Sequence, residues 1–144
     1  MGPRTRLLVV VDERLIRICL RMVLGEAGYE VDTANSVTVA YSMLDRCSYP
    51  ILITDMDLPD GKGFEVIRYA RNLNSSLESI MLTANDDPSD ENEALLAGAG
   101  AILHKPCESS LIVSATGEAS DRAGRSYQPR HGRKVPSRRP DRIA

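Results

Sequence analysis

The chain contains no tryptophan and one phenylalanine, and aromatic residues make up only 4% of its 144 residues. Its core must rest on Leu, Ile, Val, Ala and Met, and an apolar content of 42% supplies enough of them for one domain. Cysteine is scarce too. Cys19, Cys47 and Cys107 are odd in number and match no CxxC or zinc spacing. That excludes a disulfide framework and leaves buried or half-buried free thiols in a reducing compartment. No apolar run approaches the length of a membrane span, and the run after Arg6 is too short for the core of a secretory signal. A cytoplasmic chain without a membrane partner is the expectation. Net charge is also small, at −2, but it conceals a division. Residues 1–121 carry 10 Lys and Arg against 19 Asp and Glu, a net of −9. Residues 122–144 carry 8 basic residues against Asp141, a net of +7. An acidic body and a basic tail must be considered separately as surfaces for partners.

What the chain does have is four short apolar runs, each ending on one polar residue. They read LLVVV before Asp12, ILIT before Asp55, SIML before Thr83 and AILH before Lys105. Runs of this length suit strands buried on both faces of a parallel sheet. In open α/β sheets the working site lies outside the carboxyl ends of the strands. Two carboxylates, a hydroxyl and an ammonium are thereby placed on one rim.

Between the runs the pattern turns helical. The spacing predicts strands over 6–11, 29–33, 51–54, 79–82 and 101–104. Helices are predicted over 14–27, from the Asn35-Ser36 cap to about Arg46, over 63–73, and from Pro88-Ser89 to Gly98 or Gly100. In the first helix, Leu15, Ile18, Cys19, Met22 and Val23 recur at helical spacing. Residues 55–62 hold Pro59 and Asp60-Gly61 and must turn sharply. A last helix after Pro106 reads as weak, because Ser109, Ser110, Ser114, Thr116 and Gly117 are poor helix formers. Strands alternating with helices predict an α/β fold: a doubly wound, five-stranded parallel sheet in the flavodoxin-like order 2-1-3-4-5, with helices on both faces. The domain is expected over 5–118, with 119–144 a basic, disordered tail. Its arginines suit nucleic acid or anionic lipid, but only Tyr127 interleaves them and no helix-turn-helix pattern is present. A solvated tail, or one closing on the acidic body, is the preferred reading.

The rim chemistry points to phosphoryl transfer. Asp55 follows a buried strand and precedes the Leu58-Pro59 turn, and an aspartate can accept a phosphoryl group as an acyl phosphate. Positioning and charge neutralisation do most of that work. Mg2+ prefers carboxylate and phosphate oxygens. Asp12 and Asp55 offer two ligands, and the backbone carbonyl of Asp57 offers a third. Lys105 would neutralise a phosphoryl oxygen and the Thr83 hydroxyl would hydrogen-bond to another.

With these residues in place the chain resembles the receiver domain of two-component response regulators, the CheY-like superfamily. The resemblance rests on VVVDE at 9–13, TDMDLPDGKG at 54–63, MLTA at 81–84 and HKP at 104–106, and it covers about residues 6–116. It implies Asp55 as phosphoacceptor, Asp12 as metal ligand, Thr83 as switch hydroxyl and Lys105 as phosphate contact. The implied donor is a phosphohistidine on a sensor histidine kinase or phosphotransfer protein. The output would be contact with a downstream protein. No enzyme in the turnover sense is implied, only the chain's own phosphoryl transfer and autodephosphorylation.

Three positions depart from the family pattern. Val11 stands where the first of two adjacent acids is usual, with Glu13 as a possible compensation. Ile102 stands at the switch position that usually carries Tyr or Phe, and its β-branch makes it stiff. Cys107 stands where Phe is common. Val11 and Ile102 support an alternative, a pseudo-receiver that acts as a constitutive interaction module. A small phosphatase using Asp55 on an external substrate is the third reading, weakened by the lack of a cap domain. Asp57 is either a plain loop residue or a charge that tunes donors and water at the acyl phosphate. His104 is read as a strand-end side chain. The acidic run Asp86, Asp87, Asp90, Glu91 and Glu93 is read as a solvated helix start.

Overall fold

A computed structural model describes residues 4–127. Its main strands are β1 (Arg6–Val10), β2 (Glu30–Ala34), β3 (Ile51–Asp55), β6 (Glu78–Thr83) and β7 (Ala101–His104). A two-stranded hairpin, β4 (Asp57–Leu58) and β5 (Gly61–Lys62), lies between β3 and the third helix. The helices are α1 (Arg14–Glu26), α2 (Val37–Arg46), α3 (Gly63–Leu73), α4 (Pro88–Ala97) and α5 (Ser109–Tyr127). The main sheet is parallel throughout, in the order β2-β1-β3-β6-β7. Counting its strands alone gives the expected 2-1-3-4-5, so β1 and β3 flank the point where the winding reverses.

Successive residues of β1 divide the core in two. Leu8 and Val10 pack with Leu52, Met81 and the inner faces of α2, α3 and α4. Leu7 and Val9 pack with Ile53, Ile80 and Leu82 under α1 and α5. Both sets are fully buried, as a parallel sheet covered on two sides requires. The expectation of burial on both faces fails only for AILH. As β7 it is the sheet's edge, and Ala101, Ile102 and Leu103 are half-buried.

The helix boundaries have local causes. Ser36 caps α2 by accepting from the Val39 amide at 3.1 Å. Asp60 reinforces that end: its carboxylate accepts from the Val37 and Thr38 amides at 2.8 and 3.0 Å and from the Thr38 hydroxyl at 2.7 Å. These bonds hold the Asp60 carboxyl below its ordinary range, the hydroxyl contributing most. Asp87 caps α4 with Pro88 behind it, and Gly98 ends that helix at φ 109°.

The structure refines one expectation and corrects two. In α1 the line facing the core is Ile16, Leu20 and Leu24, whereas Leu15 is 77% and Met22 60% exposed and Ile18 and Cys19 also face outward. This helix is apolar on more than one side, so spacing alone could not choose its inner face. The strand boundaries move by a residue, to 30–34 for β2 and 78–83 for β6. Finally, α5 is not weak and does not stop near 118. Ile112, Thr116, Ala119 and Ala123 form a buried stripe at helical spacing, and Arg122 Nε meets Glu78 Oε1 at 2.9 Å. The stripe holds the helix despite its serines, and the folded body extends past the expected boundary at 118/119. The tail expected over 119–144 lies outside the described residues from 128 onward.

Candidate functional site

The strand ends bring Asp12, Asp55, Thr83 and Lys105 to one rim. Pairing continues just past the strands: the Met56 amide donates to the Leu82 carbonyl at 2.8 Å, and the Lys105 amide to the Thr83 carbonyl at 2.7 Å. These bonds fix the backbone on either side of Asp55 and below Lys105. The Asp55 carboxylate is almost buried, and its Oδ1 accepts from Lys105 Nζ at 3.0 Å. The Lys105–Pro106 peptide is cis.

Burial pushes the Asp55 carboxyl above its ordinary range. Lys105 opposes this by hydrogen bond and charge, the Asp12 carboxylate adds to the rise, and the Asp12 backbone amide works against it. The rim therefore pairs one exposed and one buried carboxylate with a single ammonium. A hard divalent cation would relieve that imbalance, so the donor set fits Mg2+.

Thr83 is buried, and its hydroxyl both accepts from the Asn85 amide and donates to the Asn85 carbonyl at 3.2 Å. Asp57 turns its side chain outward to Lys62 Nζ at 2.6 Å and Asn85 Nδ2 at 3.1 Å. Lys62 also reaches Asp90 at 3.1 Å, and the two carboxylates raise its pKa. Asp57 thus belongs to a polar latch joining the β4–β5 hairpin to α4 and to the loop before it. Its side chain is engaged there, leaving only its backbone carbonyl for the role foreseen.

Val11 is fully buried beneath α1, so no acid could replace it without displacing apolar packing. Glu13 is exposed at the start of α1 and makes no side-chain cap bond. Arg17 is a site residue that sequence reasoning missed. Its guanidinium donates to the Val11 carbonyl at 2.8 Å and the Asp12 carbonyl at 3.2 Å, so it fixes the loop that carries Asp12. Lys62 and Asn85 were missed as well. The roles of these three show only in the folded geometry. Ile102 is half-buried against the α2–α4 side, and Cys107 packs toward α1 and α5, where burial raises its thiol pKa.

Val11→Asp is expected to tighten Mg2+ binding by adding a carboxylate near Asp12. It should also cost about 2–4 kcal/mol of stability without metal, through lost packing and a desolvated charge. Mg2+ titration and urea unfolding of both proteins check this. Unchanged metal affinity would remove position 11 from the site.

Comparison with known proteins bears on the family and the fold. Residues 7–116 match the family model described as the response regulator receiver domain. The chain is 38% identical over 101 residues to the transcriptional regulatory protein PhoP of Escherichia coli K12, covering 70% of this chain and 45% of PhoP. It is 31% identical over 131 residues to the sensor protein EvgS of the same organism, covering 91% of this chain and 11% of EvgS. The chain therefore spans less than half the length of these relatives. Among solved structures, a CheY-like receiver domain protein from Methanospirillum hungatei JF-1 superposes with a TM-score of 0.82 at 25% identity, over 85% of this chain and 98% of that one. No helix among the described residues is long and apolar enough to cross a membrane. With its parallel sheet, its rim of Asp12, Asp55, Thr83 and Lys105, and a family match over most of its length, the chain belongs to the response regulator receiver domains of two-component systems.

Proposed function

We propose that this receiver accepts a phosphoryl group on Asp55 from a phosphohistidine of a sensor histidine kinase or phosphotransfer protein, and that it signals by protein–protein contact. The observation that carries this is the nearly buried Asp55 carboxylate held by Lys105 at 3.0 Å on the rim that also bears Asp12 and Thr83. Asp12, Asp55 and the Asp57 carbonyl are the groups that would hold Mg2+, which supplies charge neutralisation at the phosphoryl oxygens. An Asp55 oxygen bonds to phosphorus as the phosphorus–nitrogen bond breaks, and the electron pair stays on the donor imidazole. Lys105 shifts its hydrogen bonding from the carboxylate toward a phosphoryl oxygen. Thr83 leaves Asn85 to reach another. The meeting of Asp12, Asp55, Thr83 and Lys105 on one rim favours this reading over a module that has lost phosphorylation, and Val11 bears on metal affinity rather than on the acceptor.

The test is intact mass after incubation with acetyl phosphate. One phosphoryl group should be gained with Mg2+ present and none with a chelator. No gain in either condition would overturn the reading.

Output at the face formed by α4, β7 and α5 depends on Ile102. An aliphatic side chain presents similar surfaces in its rotamers, so departure of Thr83 should change this face little. Ile102→Tyr is expected to enlarge the response. The measurement is amide chemical shifts over 85–106 with and without beryllofluoride, alongside sedimentation. Large shifts and a tight activated dimer in the unmodified chain would show that another element carries the switch.

A further inference from the structure

The acidic run at the start of α4 is not uniformly solvated. Three of its five carboxylates already have partners: Asp87 caps the helix through the Ser89 amide, Asp90 binds Lys62, and Glu93 meets Arg68 at 3.4 Å. The other two converge on one imidazole. Glu91 Oε2 lies 2.8 Å and Asp86 Oδ1 3.8 Å from His104 Nε2, and all three atoms fall within 4.8 Å of one another. The three residues come from separate places: the loop after β6, the first turn of α4, and the end of β7.

We propose that Asp86, Glu91 and His104 form a binding site for a borderline transition-metal ion of the Zn2+ class, separate from the phosphoryl rim. The donor set is one imidazole and two carboxylates, which suits Zn2+ and leaves a position open for water. A tetrahedral ion with bonds of about 2.0–2.1 Å separates its ligand atoms by about 3.3 Å. The two distances from His104 bracket that value, so small rotations of the exposed Asp86 and His104 and the half-buried Glu91 side chains complete the geometry. Charge argues the same way, since two carboxylates and a neutral ligating imidazole sum to a charge that a divalent cation balances. Mg2+ is a poor occupant because imidazole is not among its preferred ligands.

Occupancy would tie the loop after β6 and the first turn of α4 to β7. That loop carries Asn85, which holds Thr83, and His104 pairs with Thr83 in the strand register. The ion would therefore stabilise the arrangement in which Thr83 is engaged by Asn85.

Calorimetric titration of the full chain with Zn2+, in excess Mg2+ to fill the phosphoryl rim, tests the site. One binding event is expected, weakened at least about tenfold by His104→Asn and by Glu91→Gln. Substituting the chain's other histidine, His131→Asn, should leave it unchanged. With Co2+ as the probe, the spectrum should show nitrogen and oxygen ligation without thiolate bands. His104 is exposed and Glu91 half-buried, and far-ultraviolet circular dichroism checks that the variants fold. Absence of binding, binding indifferent to His104→Asn, loss with His131→Asn, or thiolate bands from the free cysteines would each overturn the proposal.

Discussion

Asp55→Asn is expected to abolish phosphoryl uptake from acetyl phosphate entirely and, at neutral pH, to stabilise the protein without metal. The first effect follows from chemistry: an amide has no anionic oxygen to attack phosphorus, and no other carboxylate on the rim is held by Lys105. The second follows from burial. Desolvation raises the folded-state pKa of Asp55 above its unfolded value, and Lys105 does not cancel the rise. The folded chain then binds a proton more readily than the unfolded chain in the window between the two values. Stability is full below the unfolded pKa and falls as pH rises through the folded one. The amide keeps the shape, still accepts from Lys105, and carries no charge to desolvate. Melting temperatures of the two proteins, measured without Mg2+ from pH 4 to pH 8, should therefore diverge as pH rises. Residual phosphoryl uptake by the variant would remove Asp55 as the acceptor. A melting difference that shrinks with rising pH would reverse the assigned effect of burial.

The strand ends were legible because each apolar run stops on a residue whose chemistry does not suit a core. Asp12, Asp55, Thr83 and Lys105 needed only the parallel-sheet rule to fall on one rim. Other features depended on how the folded backbone brings side chains to their partners. Arg17 looks like an ordinary helix residue until its bonds to the Val11 and Asp12 carbonyls are seen. Asn85 and Lys62 acquire meaning through Asp57, 28 and 5 residues away, and through Thr83 and Asp90. The length of α5 was missed for a different reason. Its inner stripe relies on Thr116, Ala119 and Ala123, which carry little apolar signal yet pack closely against the sheet. In α1 the difficulty was an excess of signal, since Leu15, Ile18 and Met22 are as apolar as the Leu20 and Leu24 that are buried.

Gly63 shows how closely the backbone is packed beneath the site, and Gly63→Ala is expected to be among the most damaging small changes. A Cβ at this position would lie 2.0 Å from the Asp55 carbonyl oxygen and 3.1 Å from Met81 Sδ. The first contact is with backbone at the end of β3, which cannot rotate away. The Gly63 amide also donates to the Met56 carbonyl at 2.6 Å, so the chain is held on both sides of the contact. Alanine favours helix over glycine by about 1 kcal/mol, but that gain is small at the first residue of α3. Forcing the backbone apart should cost about 2–4 kcal/mol net. Asp55 should move with its carbonyl, so phosphoryl uptake should slow even in molecules that remain folded. Gly117→Ala is the contrasting variant: this position lies within α5 with nothing within 4 Å of the added Cβ, and it should gain about 0.5–1 kcal/mol. Urea unfolding midpoints of both variants, with phosphoryl uptake measured below the transition, make the comparison. If Gly63→Ala unfolds no earlier than the parent, the close approach of α3 to Asp55 is not a constraint on the site.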